Sequence, residues 1–341
     1  MDLTQSAWMV RDLGQAVSAL HICEDYSIIA GGWDGKLSHW DSEGKLIWSM
    51  DCEDRIESIM PLDDKVIVTS GLHIVCVKNG NQIWSHALEG SADLLVNHEG
   101  QIIASSSVYD IEHEDFMESG IWKFDIEGNL IEVERIDERP WFMCSSNELI
   151  IGLGRPKCGI LVDGEHVDPD INSPVTCGVN GRENLLLGHA DGTILLYPDK
   201  QLTREESSIE SIVCADYGFV SALENGNLVA RKLNSELIWE SKTDQIITQC
   251  VGFSSIHWAG TWNEIEGSIE IRSQGGELIG SQKYPKPRVS MSYQERVGFG
   301  FEDGQIIVWE KDLFDRRKSQ EKVEVDERKS ALAARLRSLR K

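Results

Sequence analysis

The chain has no long apolar stretch. None of its 341 residues belongs to an apolar run approaching the roughly 18 residues of a membrane-spanning helix. Residues 1–13 (MDLTQSAWMVRDL) lack the basic start and the apolar segment of a secretory signal. We therefore expect a soluble, cytoplasmic protein.

Paired cysteines are also missing. The chain has neither a C-x-x-C pair nor a Cys/His set at zinc-finger spacing. Its eight cysteines occur singly, at Cys23, Cys52, Cys76, Cys144, Cys158, Cys177, Cys214 and Cys250. We interpret them as reduced packing residues, with a metal or redox role as the alternative.

Signatures of catalysis are scarce. The sequence contains no G-x-x-x-x-G-K phosphate loop, no G-x-G-x-x-G opening a helix, no H-E-x-x-H and no recognisable Ser-His-Asp arrangement. His98 with Glu99, and His189 with Asp191, lie in predicted turns, where we assign them to turn structure and not to acid-base chemistry. We predict a protein that is not an enzyme and that needs neither a cofactor nor a metal ion.

Basic residues are under-represented in the first 310 positions. From Lys311 onward the chain has 11 Lys and Arg against 6 Asp and Glu, so the totals of 33 and 57 leave 22 basic and 51 acidic residues in the body. The net charge of −24 thus divides into −29 for the body and +5 for the tail. A body this acidic repels phosphate backbones, so we do not expect it to bind nucleic acid or anionic membranes directly.

What the chain does have is an internal repeat. Its clearest copy, IIAGGWDGKLSHWDSEGKLIW (Ile28 to Trp48), reads as three short β-segments joined by an Asp-Gly turn and a Gly turn. Related copies begin at Val66, Ile102, Leu149, Leu185, Gly218, Ile256 and Val297, 33 to 47 residues apart. This spacing is typical of four-stranded propeller blades, and no helical segment interrupts the copies before Lys311. We predict an all-β propeller of eight blades over residues 1–310, with seven blades as the alternative.

The two ends of the repeat array complement each other. The eighth copy stops after its third strand, while the N-terminal SAWMVRDLGQAVSAL aligns with LIWSMDCEDRIESI when Trp8 is placed on Trp48. We therefore predict that an N-terminal strand completes the last blade and closes the ring, which removes exposed sheet edges.

These motifs resemble those of known propeller families. GGWDGKLSHWD (Gly31 to Asp41), ADGTILLYPD (Ala190 to Asp199) and EDGQIIVWE (Glu302 to Glu310) are similar to the turn and third strand of WD repeats. DSEGKLIW (Asp41 to Trp48) and NGNQIW (Asn79 to Trp84) resemble the Gly-x-x-x-Trp docking unit of quinoprotein-like, PQQ-type repeats, whose propellers often have eight blades. The resemblance covers residues 1–310 and implies the fold more strongly than any function.

Three tryptophans recur at one position of the repeat. Trp48, Trp84 and Trp239 each end a third segment, so we predict that they pack between blades and do not contact a ligand.

Expanded connections indicate where binding takes place. Val108 to Ser119 in the third copy and Thr261 to Gly267 in the seventh appear as lengthened acidic loops on one rim, in blades that face each other across an eight-membered ring. We assign a protein-binding rim that mixes tryptophan with charge. Its residues are Trp33, Asp110, Glu112, His113, Glu114, Asp115, Trp141, Arg155, Lys157 and Trp262. The acidic cluster of the third copy is interpreted as a solvated loop, with a divalent cation site as the alternative.

The tail from residue 311 to residue 341 has a different composition. It is rich in helix formers, and Leu332, Leu336 and Leu339 fall on one helical face beside Arg335, Arg337 and Arg340. A helix of this length is marginal alone in water, so it needs a surface. The acidic propeller, a partner's groove, and nucleic acid or an anionic membrane all remain open as that surface, as does a plain solvated tail.

Three alternative functions follow from these observations. The first is a non-enzymatic scaffold, a monomeric propeller within a complex, that binds a protein or peptide on its rim and is tethered through the tail. The second is the cofactor- or metal-dependent enzyme that the quinoprotein resemblance implies. Association with nucleic acid through the tail is a further alternative.

Overall fold

The computed structural model describes residues 2–112, 115–181, 184–243, 245–253 and 256–319. These residues form eight four-stranded antiparallel sheets, the short helix α1 (Leu3–Ser6) and a second helix, α2, at residues 311–319. The prediction of an all-β, eight-bladed propeller is confirmed, and the seven-blade alternative is not. Among the described residues, no helix is long and apolar enough to cross a membrane.

Blades 1 to 7 each use their strands in chain order from the centre of the ring outward. Blades 1 to 4 consist of β2 (Val17–Ile22), β3 (Ile28–Gly32), β4 (Lys36–Trp40), β5 (Leu46–Asp51); β6 (Ile56–Leu62), β7 (Lys65–Ser70), β8 (His73–Lys78), β9 (Asn81–Ala87); β10 (Ser91–His98), β11 (Gln101–Asp110), β12 (Asp115–Phe124), β13 (Leu130–Ile136); and β14 (Pro140–Ser145), β15 (Leu149–Leu153), β16 (Ile160–Val162), β17 (Glu165–Val167).

Blades 5 to 7 repeat the arrangement, and blade 8 draws on both ends of the chain. Their strands are β18 (Val175–Asn180), β19 (Leu185–His189), β20 (Thr193–Leu196), β21 (Lys200–Arg204); β22 (Ile209–Ala215), β23 (Gly218–Leu223), β24 (Leu228–Arg231), β25 (Leu237–Ser241); β26 (Ile246–Phe253), β27 (Ile256–Trp262), β28 (Gly267–Ser273), β29 (Leu278–Tyr284); and β30 (Pro287–Tyr293), β31 (Arg296–Phe301), β32 (Gln305–Glu310), β1 (Met9–Asp12). The innermost strands contact one another in sequence, and β30 contacts β2, so the ring is closed.

Asp-Gly turns set the spacing of the second and third strands. Gly35, Gly192 and Gly304 all adopt positive φ, between 86° and 94°. At Gly35 a Cβ atom would lie 2.4 Å from the carbonyl oxygen of Cys52 in the next link. Glycine is therefore required there both for the backbone conformation and for the space.

The N-terminal strand closes the ring in a register one residue away from the predicted alignment. Met9, and not Trp8, pairs with Val308. Val308 precedes Trp309 in β32, and His39 precedes Trp40 in β4, so Val308 and His39 hold equivalent positions in their blades. Since Trp48 pairs with His39, Met9 holds the position equivalent to Trp48. A shift of one residue turns a strand side chain to the other face of its sheet. Trp8 accordingly stacks on the guanidinium of Arg296, 3.7 Å from the ring centroid.

The core consists of eight apolar clusters, one at each junction between neighbouring blades. Trp48, Trp84 and Trp239 belong to three of these clusters, which confirms their predicted packing role. Each indole lies against a turn glycine of the following blade. Those glycines are Gly80, Gly128 and Gly276.

Both termini pack together beneath blades 7 and 8. Leu3 of α1 and Phe314 of α2 are fully buried, and the Phe314 ring lies 5.3 Å from that of Trp258. Arg317 of α2 donates hydrogen bonds to the carbonyl oxygens of Gln5 and of Ala7. The first part of the tail is therefore integrated into the propeller.

The two predicted loops are mostly strands. Val108 to Ser119 forms the end of the β11–β12 hairpin, with Tyr109 opposite Phe116 and a short turn beyond Asp110. Thr261 to Gly267 likewise begins in β27 and ends in β28, with the turn at residues 263–266. Cross-strand pairing absorbs most of the additional residues, so the connections are extended hairpins and not open loops.

All eight cysteines are free. Burial raises the pKa of the Cys177 thiol and of the Cys250 thiol to about 12. These thiols are neutral at physiological pH, as suits residues that contribute to packing.

Candidate functional site

We define the upper rim as the side of the ring that carries the links between blades and the turns between second and third strands. The described residues of the predicted binding surface lie on this side. Trp33 is in the β3–β4 turn, Arg155 and Lys157 are in the β15–β16 turn, Trp141 is the second residue of β14, and Trp262 ends β27. The structure therefore places these five residues on a common rim.

A β-bulge recurs near the upper end of every innermost strand. In each blade the pairing between the first and second strands shifts register at this point. A bulge re-aims the side chain of the extra residue and bends the strand. The bulged residues are Ser18, Glu57, Asp93, Leu94, Trp141, Thr176, Glu210, Thr248 and Arg288. The upper mouth of the channel is thus surrounded by residues that the regular ladder leaves unpaired.

Trp33 lies between two arginines. The guanidinium of Arg55 is 4.2 Å from the indole centroid and that of Arg288 is 4.7 Å from it. Arg55 forms an ion pair with Glu57, and Arg288 with Glu302. The indole therefore separates two like charges and stabilises both through cation–π contacts. It is nevertheless 41% exposed, so part of the ring faces solvent.

A second stack joins blades 3 and 4. The Arg139 guanidinium lies 3.6 Å from the ring centroid of Phe116 and 4.2 Å from that of Trp141. It also forms an ion pair with Asp93 at 3.4 Å. Stacking of one planar cation between two rings fixes the extended hairpin of blade 3 against the innermost strand of blade 4.

Trp141 owes its position to a glycine. A Cβ atom at Gly154 would lie 2.8 Å from the indole nitrogen of Trp141, so only glycine leaves room for the ring. The same turn carries Arg155 and Lys157, both exposed. The structure therefore places these two cations and a 46% exposed indole in blade 4.

Burial affects the carboxylates of this rim. Burial raises the pKa of Asp93, although the nearby guanidinium of Arg139 opposes this shift. Burial also raises the pKa of Glu210, and the neighbouring carboxylate of Glu224 adds to the effect. Both groups lie at bulges, where the innermost strand has left the regular ladder.

Apolar side chains project from the two extended hairpins. Ile111 at the tip in blade 3 is 82% exposed, and Ile265 in the corresponding turn of blade 7 is 88% exposed. Tyr109 packs edge-on against Phe116, and the ammonium of Lys286 lies 5.5 Å from the Trp262 ring centroid. Blades 3 and 7 are four steps apart in the ring, so the two tips stand on opposite sides of the channel mouth.

The predicted acidic cluster is described only in part. The side chain of Asp110 accepts a hydrogen bond from the backbone N–H of Glu112 at 2.7 Å, and the backbone of Asp115 pairs with that of Asp110. His113 and Glu114 lie outside the described residues. Within the part of the chain that is described, no group of three or more Cys, His, Asp or Glu residues is arranged to hold a metal ion.

Several rim residues were not predicted from the sequence. Trp33 contacts two of them, Arg55 and Arg288, and Trp141 contacts a third, Arg139. The others belong to the two extended hairpins and are Tyr109, Ile111, Phe116 and Ile265. The position in the repeat offered one signal for such residues. Trp141 and Arg288 are both the second residue of an innermost strand, directly after a buried first residue. The predicted tail-binding residues, Leu332, Arg335, Leu336, Arg337, Leu339 and Arg340, lie outside the described residues.

The fold is shared with solved propellers. BamB from Moraxella catarrhalis is 15% identical over 89% of this chain and 97% of its own, with a TM-score of 0.73. Sqt1 from Saccharomyces cerevisiae is 10% identical over 89% and 98%, with a TM-score of 0.71. The computationally designed Ika8 protein is 16% identical over 88% and 98%, with a TM-score of 0.63.

These likenesses concern the fold alone. No protein-family model matches the sequence, and no curated protein sequence does either. BamB is a PQQ-like propeller and Sqt1 a WD40 propeller, so the resemblance of this chain to both repeat types is confirmed as a structural one. The protein is a β-propeller whose structural neighbours come from both classes.

Proposed function

We propose that the protein is a non-enzymatic interaction scaffold that binds a protein partner on its upper rim. The observation that carries this proposal is the pair of partly exposed indoles, Trp33 and Trp141, each stacked on arginine at the channel mouth. Tryptophan and arginine are the residue types that most often dominate binding energy at protein interfaces. β-Propellers typically act as scaffolds of this kind.

Preorganisation supports this role. Arg55, Arg139 and Arg288 are already held by both a ring and a carboxylate. Ordering such side chains upon binding therefore costs less than ordering free ones. The exposed ends of Ile111 and Ile265 extend the same surface beyond the mouth.

Charge favours a basic partner. Each of the three stacked arginines already forms an ion pair with a carboxylate of the propeller. The net charge of −29 on the body is therefore available to attract a positively charged partner. Long-range attraction of this kind raises association rates and weakens with salt. We expect the association rate to fall as the ionic strength rises.

The experiment compares affinity capture by the wild type, by a Trp33→Ala/Trp141→Ala variant and by a control. The control is Ile47→Ala/Ile83→Ala, which removes apolar side chains that are equally exposed but lie on outer strands. The rim variant should lose the partner, with a purified-protein Kd weakened by about 30-fold or more. Capture that survives the rim variant and depends on the outer-strand pair would contradict the proposal.

The tail supplies the tether in this proposal. A truncation after Ser319 tests it while keeping Phe314, whose burial in α2 makes an earlier cut unsuitable. The truncated protein should still bind the partner of the upper rim. In a pull-down of the assembled complex, the component that is bound through the tail should be lost. An unchanged complex would show that the tail is dispensable.

A further inference from the structure

The junctions between blades contain a recurring space for one large side chain. Trp48, Trp84 and Trp239 fill it at the junctions of blades 1 and 2, 2 and 3, and 6 and 7. A Cβ atom at the facing turn glycine would lie 3.0 Å from Trp48 and 2.6 Å from the rings of Trp84 and Trp239. We call this space the indole slot.

Junctions without such a tryptophan are filled in other ways. Between blades 8 and 1, the Met9 side chain lies against Gly44. Between blades 7 and 8, Gly280 stands at the tryptophan position, and Leu3 and Phe314 from the two terminal helices are buried in the same cluster. The fold therefore recruits side chains from elsewhere when the outer strand does not supply one.

Two further junctions use aromatic rings from inner strands or turns. The cluster between blades 4 and 5 includes Phe142 and Tyr197. The cluster between blades 5 and 6 includes Phe219. Large rings thus occur in every junction discussed so far, including the one that Met9 seals, where Trp40 is a buried member of the cluster.

The junction between blades 3 and 4 differs. Glu132 pairs with Lys123 in blade 3, and Trp48 pairs with His39 at the equivalent place in blade 1. A glutamate therefore holds the tryptophan position in blade 3. Its carboxylate accepts a hydrogen bond from the Lys123 ammonium at 2.9 Å and is 57% exposed. The apolar cluster of this junction contains no aromatic side chain among the described residues. The indole slot is therefore left without its usual occupant.

A cavity of about 220 Å³ lies at this junction. Its aliphatic side chains come from both blades, with Ile103 and Ile121 on one side and Leu149, Ile151 and Leu161 on the other, and Glu99, Gln101 and Asn147 also line it. For comparison, a closed apolar cavity of about 150 Å³ accepts a benzene ring. The space is thus large enough for a bicyclic ring such as indole.

The mouth of the cavity opens on the lower rim and is polar. His98, Lys123, Glu134 and Asp163 surround it. The nearest atom to a Cβ atom placed at Gly164 would be a carboxylate oxygen of Glu134, at 3.9 Å, so the glycine leaves space at the entrance. Carboxylates at the edge of an aliphatic pocket suit a ring that carries an N–H donor.

We propose that the cavity between blades 3 and 4 binds the tryptophan side chain of a partner protein, which takes the place that Trp48, Trp84 and Trp239 hold at their own junctions. The chain itself indicates this occupant, since three of its own junctions are completed by an indole. The site lies on the face opposite to Trp33 and is independent of the proposed upper-rim function.

The test is a titration with N-acetyl-tryptophanamide, followed by isothermal calorimetry or ligand-observed NMR, with N-acetyl-leucinamide as the control ligand. The wild type should bind one equivalent with a Kd on the order of 1 mM and should bind the leucine compound at least tenfold more weakly. Absence of binding up to the solubility limit would overturn the proposal. Binding of free indole but not of the capped amino acid would also overturn it, because the cavity would then accept a small molecule and not a side chain.

Variants locate the binding site. Glu132→Trp should fill the slot from within, abolish binding and raise the Tm, whereas Glu127→Trp, on the exposed turn of the same blade, should do neither. Unchanged affinity in Glu132→Trp would place the ligand elsewhere and overturn the assignment. If Glu132→Trp does not fold, Leu161→Phe narrows the same cavity and should weaken binding at least tenfold.

Discussion

Trp309 donates its indole N–H to the carbonyl oxygen of Leu3 at 2.8 Å. Residues from opposite ends of the chain therefore meet in a fully buried site. Leu3 also donates its backbone N–H to the side-chain oxygen of Gln282 at 2.6 Å. The closure of the ring thus rests on this helical contact as well as on the pairing of β1 with β32.

Leu3→Ala should lower the free energy of unfolding by about 2 to 5 kcal/mol, because it leaves a cavity among rings that cannot collapse to fill it. Chemical denaturation followed by tryptophan fluorescence measures the change. Val10→Ala in β1, whose side chain is 39% exposed, serves as the control and should shift stability by less than about 1 kcal/mol. Equal losses in the two variants would show that α1 contributes nothing specific.

Gly128→Ala and Gly100→Ala separate backbone strain from packing. Both glycines have positive φ, 90° and 78°, so both variants should lose about 1 kcal/mol through backbone strain. Only at Gly128 does the new methyl group meet the Trp84 ring, at 2.6 Å, whereas at Gly100 nothing lies within 4 Å. Thermal unfolding should show a further loss of about 1 to 3 kcal/mol at Gly128. A similar Tm for both variants would contradict the indole slot at that junction.

His257 should make the protein less stable in mild acid. Burial lowers the pKa of its imidazole to about 4, well below the ordinary value of 6.5, and the side chain is only 2% exposed. Between these two pKa values the unfolded chain binds a proton that the folded chain does not, so stability falls as the pH drops from 6.5 to 4. The contribution of this residue between pH 7 and pH 5 is about 2 kcal/mol.

Urea denaturation at pH 7 and pH 5 tests this expectation by comparing the wild type with His257→Gln. Glutamine retains a polar partner for the hydroxyl of Tyr217, which lies 2.7 Å from the His257 ring nitrogen in the wild type. The variant should show the smaller loss on acidification. An identical pH dependence in the two proteins would show that His257 is not the responsible group.

Arg139→Lys should loosen the extended hairpin of blade 3. An ammonium is a compact charge that cannot lie flat between the Phe116 and Trp141 rings, although it can keep an ion pair with Asp93. We expect faster hydrogen exchange of the β11 and β12 amides, with little change in global stability. Arg204→Lys, an exposed pair with Asp191 on blade 5, is the matched control and should leave these amides unchanged.

Much of the fold could be read from turns and strand alternation. The copies that begin at Ile28, Val66 and Val297 each contain the hairpin signals of one blade, and every one of them became a blade. The alignment of Trp8 with Trp48 predicted the right partner strand but the wrong register. Two neighbouring apolar residues, Trp8 and Met9, satisfy the pattern equally well, and only packing against Gly44 selects between them.

The candidate rim was predicted in composition but not in arrangement. Trp33 and Trp141 were assigned to the rim from the sequence, and they lie in the β3–β4 turn and at the start of β14. Their arginine partners could not be assigned in this way, since Arg55 and Arg288 are far apart in sequence and meet at Trp33 only once the ring is closed. The two extended hairpins were predicted as loops, because the sequence of an acidic segment does not show whether its residues pair across two strands.

The sequence by itself determined the number of blades, the position of the turns and the complementarity of the two termini, because these depend on local backbone preferences that recur with each repeat. Only the tertiary structure decided which side chain fills each junction and which one remains without its indole. Glu132 looks like an ordinary surface residue of a β-strand until the neighbouring blade is in place. Packing between blades joins residues distant in sequence, so the cavity beside Lys123 exists only in the closed ring.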